Sequence, residues 1–144
     1  MYKEIIIKEL NIYRKTQHSV YSITLHLVLV VKYRRDVIDD TISNRIRELF
    51  EKISLSYDVK IIEWNHDKDH VHTILSISPS TNLNKYVNAA KAASSRLIKK
   101  EFPNIKTKLW KDSFWTRGFY VNSTGSTQID VVKNYILNQG EKVC

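Results

Sequence analysis

Residues 20–33 read Val-Tyr-Ser-Ile-Thr-Leu-His-Leu-Val-Leu-Val-Val-Lys-Tyr, and this stretch limits the possible folds more than any other. β-Branched and aromatic side chains lose rotamer freedom in a helix and fit a pleated surface. The segment therefore predicts a long strand, buried at its middle. Its longest apolar run, Leu27 to Val31, is far below the roughly 20 residues of a membrane span. Such a strand must be covered by other elements, and the sequence supplies them.

Arg34, Arg35 and Asp36 end the strand. Ile42, Ile46, Leu49, Phe50 and Ile53 follow at spacings of three and four, the mark of an amphipathic helix. Val59 to Trp64 predicts a second strand, Asn65 to Asp69 a polar turn, and His70 to Ser78 a third strand, so the two strands form a hairpin. Pro79 stops it. Asn82 is placed to cap a helix running to about Lys100, with Leu83, Val87, Ala90, Ser94, Leu97 and Ile98 on one stripe. Phe114 to Asn122 predicts a fourth strand, broken by Gly125. Thr127 is placed to cap a last helix through Asn138, with Ile129, Val132 and Ile136 inward. The first six elements follow the split β-α-β order of ferredoxin-like folds. The expectation is an α+β fold, an antiparallel sheet with helices packed on it.

A length of 144 residues with 42% hydrophobic content suits one domain over 1–144. Only three Gly and two Pro occur, so linkers are few. Residues 1–17 are expected to be a mixed-charge lead-in. The single cysteine, Cys144, cannot form an internal disulfide or a Cys-rich zinc site. With no secretion-type apolar leader, a cytoplasmic location is expected. The net charge is +8, from 23 Lys+Arg against 15 Asp+Glu. Such an excess draws polyanions, nucleic acid foremost, although charge alone does not exclude a merely basic soluble protein.

Three groups of residues could carry chemistry. In Asp69-His70-Val71-His72, strand alternation puts His70 and His72 on one face, about 7 Å apart along the strand. Two neutral imidazoles so placed can share a divalent cation, though His-x-His also occurs as a plain strand pair. Tyr135 and Gln139 lie four apart near the end of the last predicted helix and share a side. A helical tyrosine more often packs its ring and wets its hydroxyl. The third group mixes cations and aromatics: Lys32, Arg34 and Arg35 after the first strand, Lys91 and Arg96 on the second long helix, and Lys111 and Arg117 among Trp110, Phe114, Trp115 and Phe119. Aromatics stack on bases while cations track phosphates. Phe119 and Trp115 are expected mainly in the core. His26, inside an apolar strand, reads as a satisfied core histidine, and His66 as a turn residue beside the pair.

Taken in order, His26 to Arg35, Asp67 to His72, Ala89 to Arg96, Leu109-Trp110, Phe119 to Gly125 and Val131 to Gln139 resemble the single-tyrosine transposases of the HUH endonuclease superfamily, of the insertion sequence 200/605-like type. The likeness spans about residues 18–140. It implies a ferredoxin-like fold, metal ligands at His70, His72 and Gln139, and a nucleophile at Tyr135. It further implies Mg²⁺ or Mn²⁺, hairpin-ended single-stranded DNA as partner, and a homodimer in which one subunit's tyrosine serves the other's histidines. No Gly-rich phosphate loop occurs, in keeping with a reaction that needs no nucleotide cofactor. The alternatives are a domesticated nuclease acting on host repeat hairpins, a non-catalytic nucleic-acid-binding module, and a carboxylate–metal nuclease built on Asp67 and Asp69.

Overall fold

The computed structural model describes residues 14–123 and 136–139. Arg14–Lys15 (β1) pairs with Val20–Tyr21 (β2) in a small antiparallel hairpin, so the end of the expected lead-in is structured. Arg14 is tied to Asp58 by an ion pair. The main sheet comprises Ile23–Val30 (β3), Lys60–His66 (β4), His70–Ile77 (β5) and Tyr120–Ser123 (β6). Its order is β4-β5-β3-β6, and every pairing is antiparallel. Two long helices, Asp40–Ser54 (α1) and Leu83–Glu101 (α2), complete the α+β arrangement.

The helices start where capping chemistry allows. Asp39 accepts the Ile42 amide at 2.8 Å and Asn82 accepts the Lys85 amide at 3.1 Å, each satisfying a donor that the first helical turn leaves open. Ile42, Ile46, Leu49 and Phe50 of α1, with Tyr86, Val87, Ala90 and Ile98 of α2, face the sheet. There they meet Leu27, Leu29 and Val31 from β3 and its end, and Val71, Leu75 and Ile77 from β5. Full burial of each such aliphatic side chain contributes roughly 1.5–3 kcal/mol.

Two register details place the site. Val28 pairs with His72 and Val30 with His70, so these four residues share the sheet face away from the helices. Between Ile61 and Glu63 the β4–β5 pairing slips by one residue. Beyond this bulge, Glu63 and Asn65 oppose Ile74 and His72, while Trp64 opposes Thr73. Trp64 therefore turns to the helix side, packs edge-on against Phe50 and donates to Ser43 Oγ at 2.9 Å.

The expected strands at 20–33 and 114–122 are both shorter in the structure. The first breaks at Ser22 and ends in a tight turn at Lys32–Arg34. The second is confined to Tyr120–Ser123, with a single bridge between Trp115 and Val31. Lys91 explains the loss, since its ammonium holds the carbonyls of Thr116 and Gly118 at 2.7 and 2.8 Å. Gly118 bends the chain there at φ +71°, a conformation that glycine tolerates without steric cost. The predicted last helix falls outside the described residues except for 136–139, which are helical.

Candidate active site

β5 presents His70 and His72 on one face, with Val71 fully buried between them on the other. Their rings stand 6.0 Å apart, centroid to centroid, at an interplanar angle of 27°. His70 Nδ1 lies 2.8 Å from Asp69 Oδ1. A carboxylate accepts only an N–H, so this contact favours the proton on Nδ1 and leaves Nε2 as the nitrogen able to ligate, the usual way a protein orients a ligating imidazole.

Asp69 is itself buried and doubly engaged. Arg34 Nε donates to its Oδ2 at 2.9 Å, and its backbone carbonyl accepts the Val31 amide at 2.8 Å. Burial alone would raise this carboxyl's pKa, but hydrogen bonds from His70 and Arg34 hold it below its ordinary value. His72 is shifted down, first by burial and then by the neighbouring imidazoles of His26 and His70. It therefore stays neutral further into the acid range, with a free lone pair.

His26 departs from the expectation of a satisfied core histidine. It pairs across the sheet with Ile74 and Asn122, which gives it the parity of His72, and its ring lies 5.7 Å from that of His72. Burial lowers its pKa, and Glu63 acts in the opposite direction. Periodicity could not reveal this neighbour, because only the β3–β5 register makes residues 26 and 72 adjacent. His66 sits on the other side of the sheet, opposite Val71, with Nε2 2.8 Å from Asp40 Oδ1. Asp67 caps the Lys68 amide at 2.8 Å, and Asp69 is consumed as described. Among the described residues, no three His, Cys, Asp or Glu side chains gather into a metal site.

Gln139 reaches a cleft of about 320 Å³, bordered by Lys32, Tyr33 and the chain from Thr116 to Phe119. The cleft begins one residue past the Val31–Asp69 hydrogen bond, at the end of the sheet where His70 lies. Neither imidazole lines it. Tyr135 lies outside the described residues.

The basic residues divide into two sets. Arg34 is turned inward onto Asp69, and Lys91 is half-buried beneath the 116–118 turn, where burial lowers its pKa. Arg35 is half-buried. Arg96, Lys111 and Arg117 are exposed, and Lys32 is partly so. Of the aromatics, Trp115 joins the core and donates to Ser94 Oγ at 2.9 Å, while Phe119 packs partly against it.

The family described as "Transposase IS200 like" matches residues 19–139, a span that takes in the imidazole pair, the basic turn and the cleft. The chain belongs to this IS200-like transposase family. It is 27% identical to the ISDra2 transposase TnpA of Deinococcus radiodurans over 129 residues, 90% of this chain and 92% of that one. It is also 27% identical to the transposase of insertion sequence element IS200 from Salmonella typhimurium, over 87% of this chain and 82% of the relative. A solved D. radiodurans R1 chain described as a transposase superposes with a TM-score of 0.79 at 25% identity, covering 88% of this chain and 97% of that one. The fold also matches a REP-associated tyrosine transposase solved with a REP hairpin, at a TM-score of 0.56 and 12% identity, over 85% of this chain and 67% of that one. As a member of the IS200-like transposases, the chain has no described helix long and apolar enough to cross a membrane.

Proposed function

We propose that this IS200-like transposase cleaves and rejoins single-stranded DNA at hairpin-bearing element ends, with Tyr135 as nucleophile and His70, His72 and Gln139 as ligands of a divalent metal. The observation that carries the reading is the imidazole pair: two rings on one sheet face, one held by a buried carboxylate so that its outer nitrogen is free. Two neutral nitrogens and a carboxamide oxygen suit a cation of the Mg²⁺ or Mn²⁺ kind, with imidazole favouring Mn²⁺. Such an ion, when bound, stabilises the negative charge that builds on phosphate oxygens during displacement.

The residues then have separate tasks. Asp69 holds the His70 tautomer, and Arg34 holds Asp69. The Tyr135 oxygen bonds to phosphorus as the bond from phosphorus to the 3′-oxygen breaks. The phenolic proton passes to water, and the leaving oxygen gains one to become a 3′-OH. The phosphotyrosine ester retains the energy of the bond it replaced, so a later 3′-OH can reverse the step and join new ends without a nucleotide cofactor. A phenol with a pKa of about 10 is a weak nucleophile at neutral pH, which is why the phosphate must be activated. Hairpin DNA is the substrate proposed, as in the REP-hairpin complex that shares this fold. The active form is a homodimer in which each subunit's tyrosine serves the histidines of its partner. Of the basic residues, Lys32, Arg96, Lys111 and Arg117 contact phosphate, while Arg34 and Lys91 hold the scaffold.

The test is incubation with end-labelled single-stranded hairpin DNA and Mn²⁺, followed by denaturing electrophoresis. The wild type should retain label covalently. Tyr135→Phe should bind the hairpin and form no adduct. An adduct in Tyr135→Phe, or none in the wild type, overturns the assignment.

A further inference from the structure

Next to the cleft, two turns carry backbone that side chains rarely adopt. Tyr33 and Arg34 have φ of 56° and 54°, and Lys111 and Asp112 have 48° and 63°. Residues other than glycine in the left-handed region cost of order 1–3 kcal/mol each and persist where their surroundings over-determine them. Here the surroundings do so. Lys32 N donates to Phe114 O at 2.8 Å, Arg34 N to Val31 O at 2.8 Å, and Ser113 N to Trp110 O at 2.9 Å.

Each turn delivers one aromatic and one lysine to the same place. Tyr33 meets Trp110 edge-on at 4.9 Å. Lys32 Nζ lies 5.5 Å from the Tyr33 ring and 5.8 Å from that of Trp110, and Lys111 Nζ lies 4.7 Å from Trp110. Among the described residues neither ammonium pairs with a carboxylate, and Asp112 faces Lys99 at 3.7 Å instead. A cluster serving only the core would be sealed, as Trp115 is at 7% exposure. Trp110 and Tyr33 are only half-buried. Lys32 and Tyr33 also border the Gln139 cleft, whose volume is at the small end of ligand clefts, about 300–1,000 Å³, and is enough for a single nucleotide.

We infer that Lys32, Tyr33, Trp110 and Lys111 form a subsite for one unpaired nucleotide of the DNA strand, continuous with the cleft at Gln139. The base stacks on the Trp110 ring, which Tyr33 braces edge-on, the two ammoniums take its flanking phosphates, and the strained turns keep the rings in place before DNA arrives. The inference rests on the reading of single-stranded DNA as substrate, but not on the tyrosine chemistry.

The test uses metal-free protein and a hairpin bearing a single-stranded flank, with an abasic residue walked through the flank one position at a time. Wild-type affinity should drop at one position. Trp110→Ala should bind the intact flank about 5- to 150-fold more weakly, the range expected for losing one base–ring stack, and should no longer respond to the abasic residue at that position. Trp110→Phe should restore the response. Lys111→Ala, at an exposed site, should lower the slope of log affinity against log salt by about 0.7, one single-strand phosphate contact. Thermal unfolding confirms that each variant is folded. Equal abasic profiles in wild type and a folded Trp110→Ala, or an equal loss on a hairpin without a flank, overturn the subsite. A missing Tyr135 adduct alongside the predicted abasic profile removes the chemistry and leaves the subsite standing, whereas an adduct without that profile removes the subsite alone.

Discussion

The two faces of the central sheet are made by the same strands and have opposite characters. Odd positions of β3 and β5, such as Leu27, Leu29, Val71 and Leu75, are sealed beneath α1 and α2. Even positions carry His26, His70 and His72, with Glu63, Asn65, Tyr120 and Asn122 paired beside them. The lesson is that a period of two lets a single strand supply both the core and a histidine-bearing polar surface, as long as the register holds. Substitutions of the helix-face residues should cost stability, and those of His70 and His72 should cost activity.

The largest effect expected is from His72→Ala or His70→Ala. On the proposed metal role, losing one imidazole would forfeit several kcal/mol of charge stabilisation, so the rate of adduct formation should fall by about 10³-fold. The unfolding midpoint should shift little for His72→Ala, and a collapse of the midpoint instead would erase the distinction between the faces. The converse variant is Leu27→Ala, which should cost about 2–5 kcal/mol in urea titration through lost burial and a residual cavity. It should leave the adduct rate per folded molecule nearly unchanged. The smallest and most diagnostic is Asp69→Asn, which replaces one of the two acceptor oxygens by an NH2 and so leaves either Arg34 or His70 without its buried acceptor, at a cost of about 1–3 kcal/mol at pH 7. The Asp69 carboxyl is held below its ordinary value of 3.8. Its contribution is therefore complete above that value and disappears as pH falls through the lower, folded one. The stability gap between wild type and Asp69→Asn should close in strong acid, and a gap that widened there would contradict the assigned ion pair.

Much of this was legible in the sequence. Alternation alone put His70 and His72 on one face with Val71 opposite, and helical spacing found α1 and α2 with Asn82 as a cap. Facts that depend on contacts between distant segments were not legible. Nothing local says that Lys91 and Arg34, two of several similar cations, turn inward onto backbone carbonyls and a carboxylate. The 114–122 stretch has strand composition, but its pairing is broken by a lysine on another element and by Gly118. His26 lay in plain view within an apolar run, yet its adjacency to His72 exists only through the β3–β5 register. Trp110 gave no sign of its partner Tyr33, 77 positions earlier in the chain.

The bulge in β4 has a genetic corollary. Ile62 is the surplus residue that sends Trp64 to the helices and Glu63 to the histidines. An in-frame loss of that one codon would close the bulge and leave Glu63 opposite Ile74 and Trp64 opposite Thr73. Were Ile62 instead taken into the ladder as an ordinary strand residue, a glutamate would turn toward Phe50 and an indole would lie over the imidazoles. A one-codon deletion at this point in the gene is therefore milder than its place inside a strand suggests, because the lost residue is the one without a ladder partner.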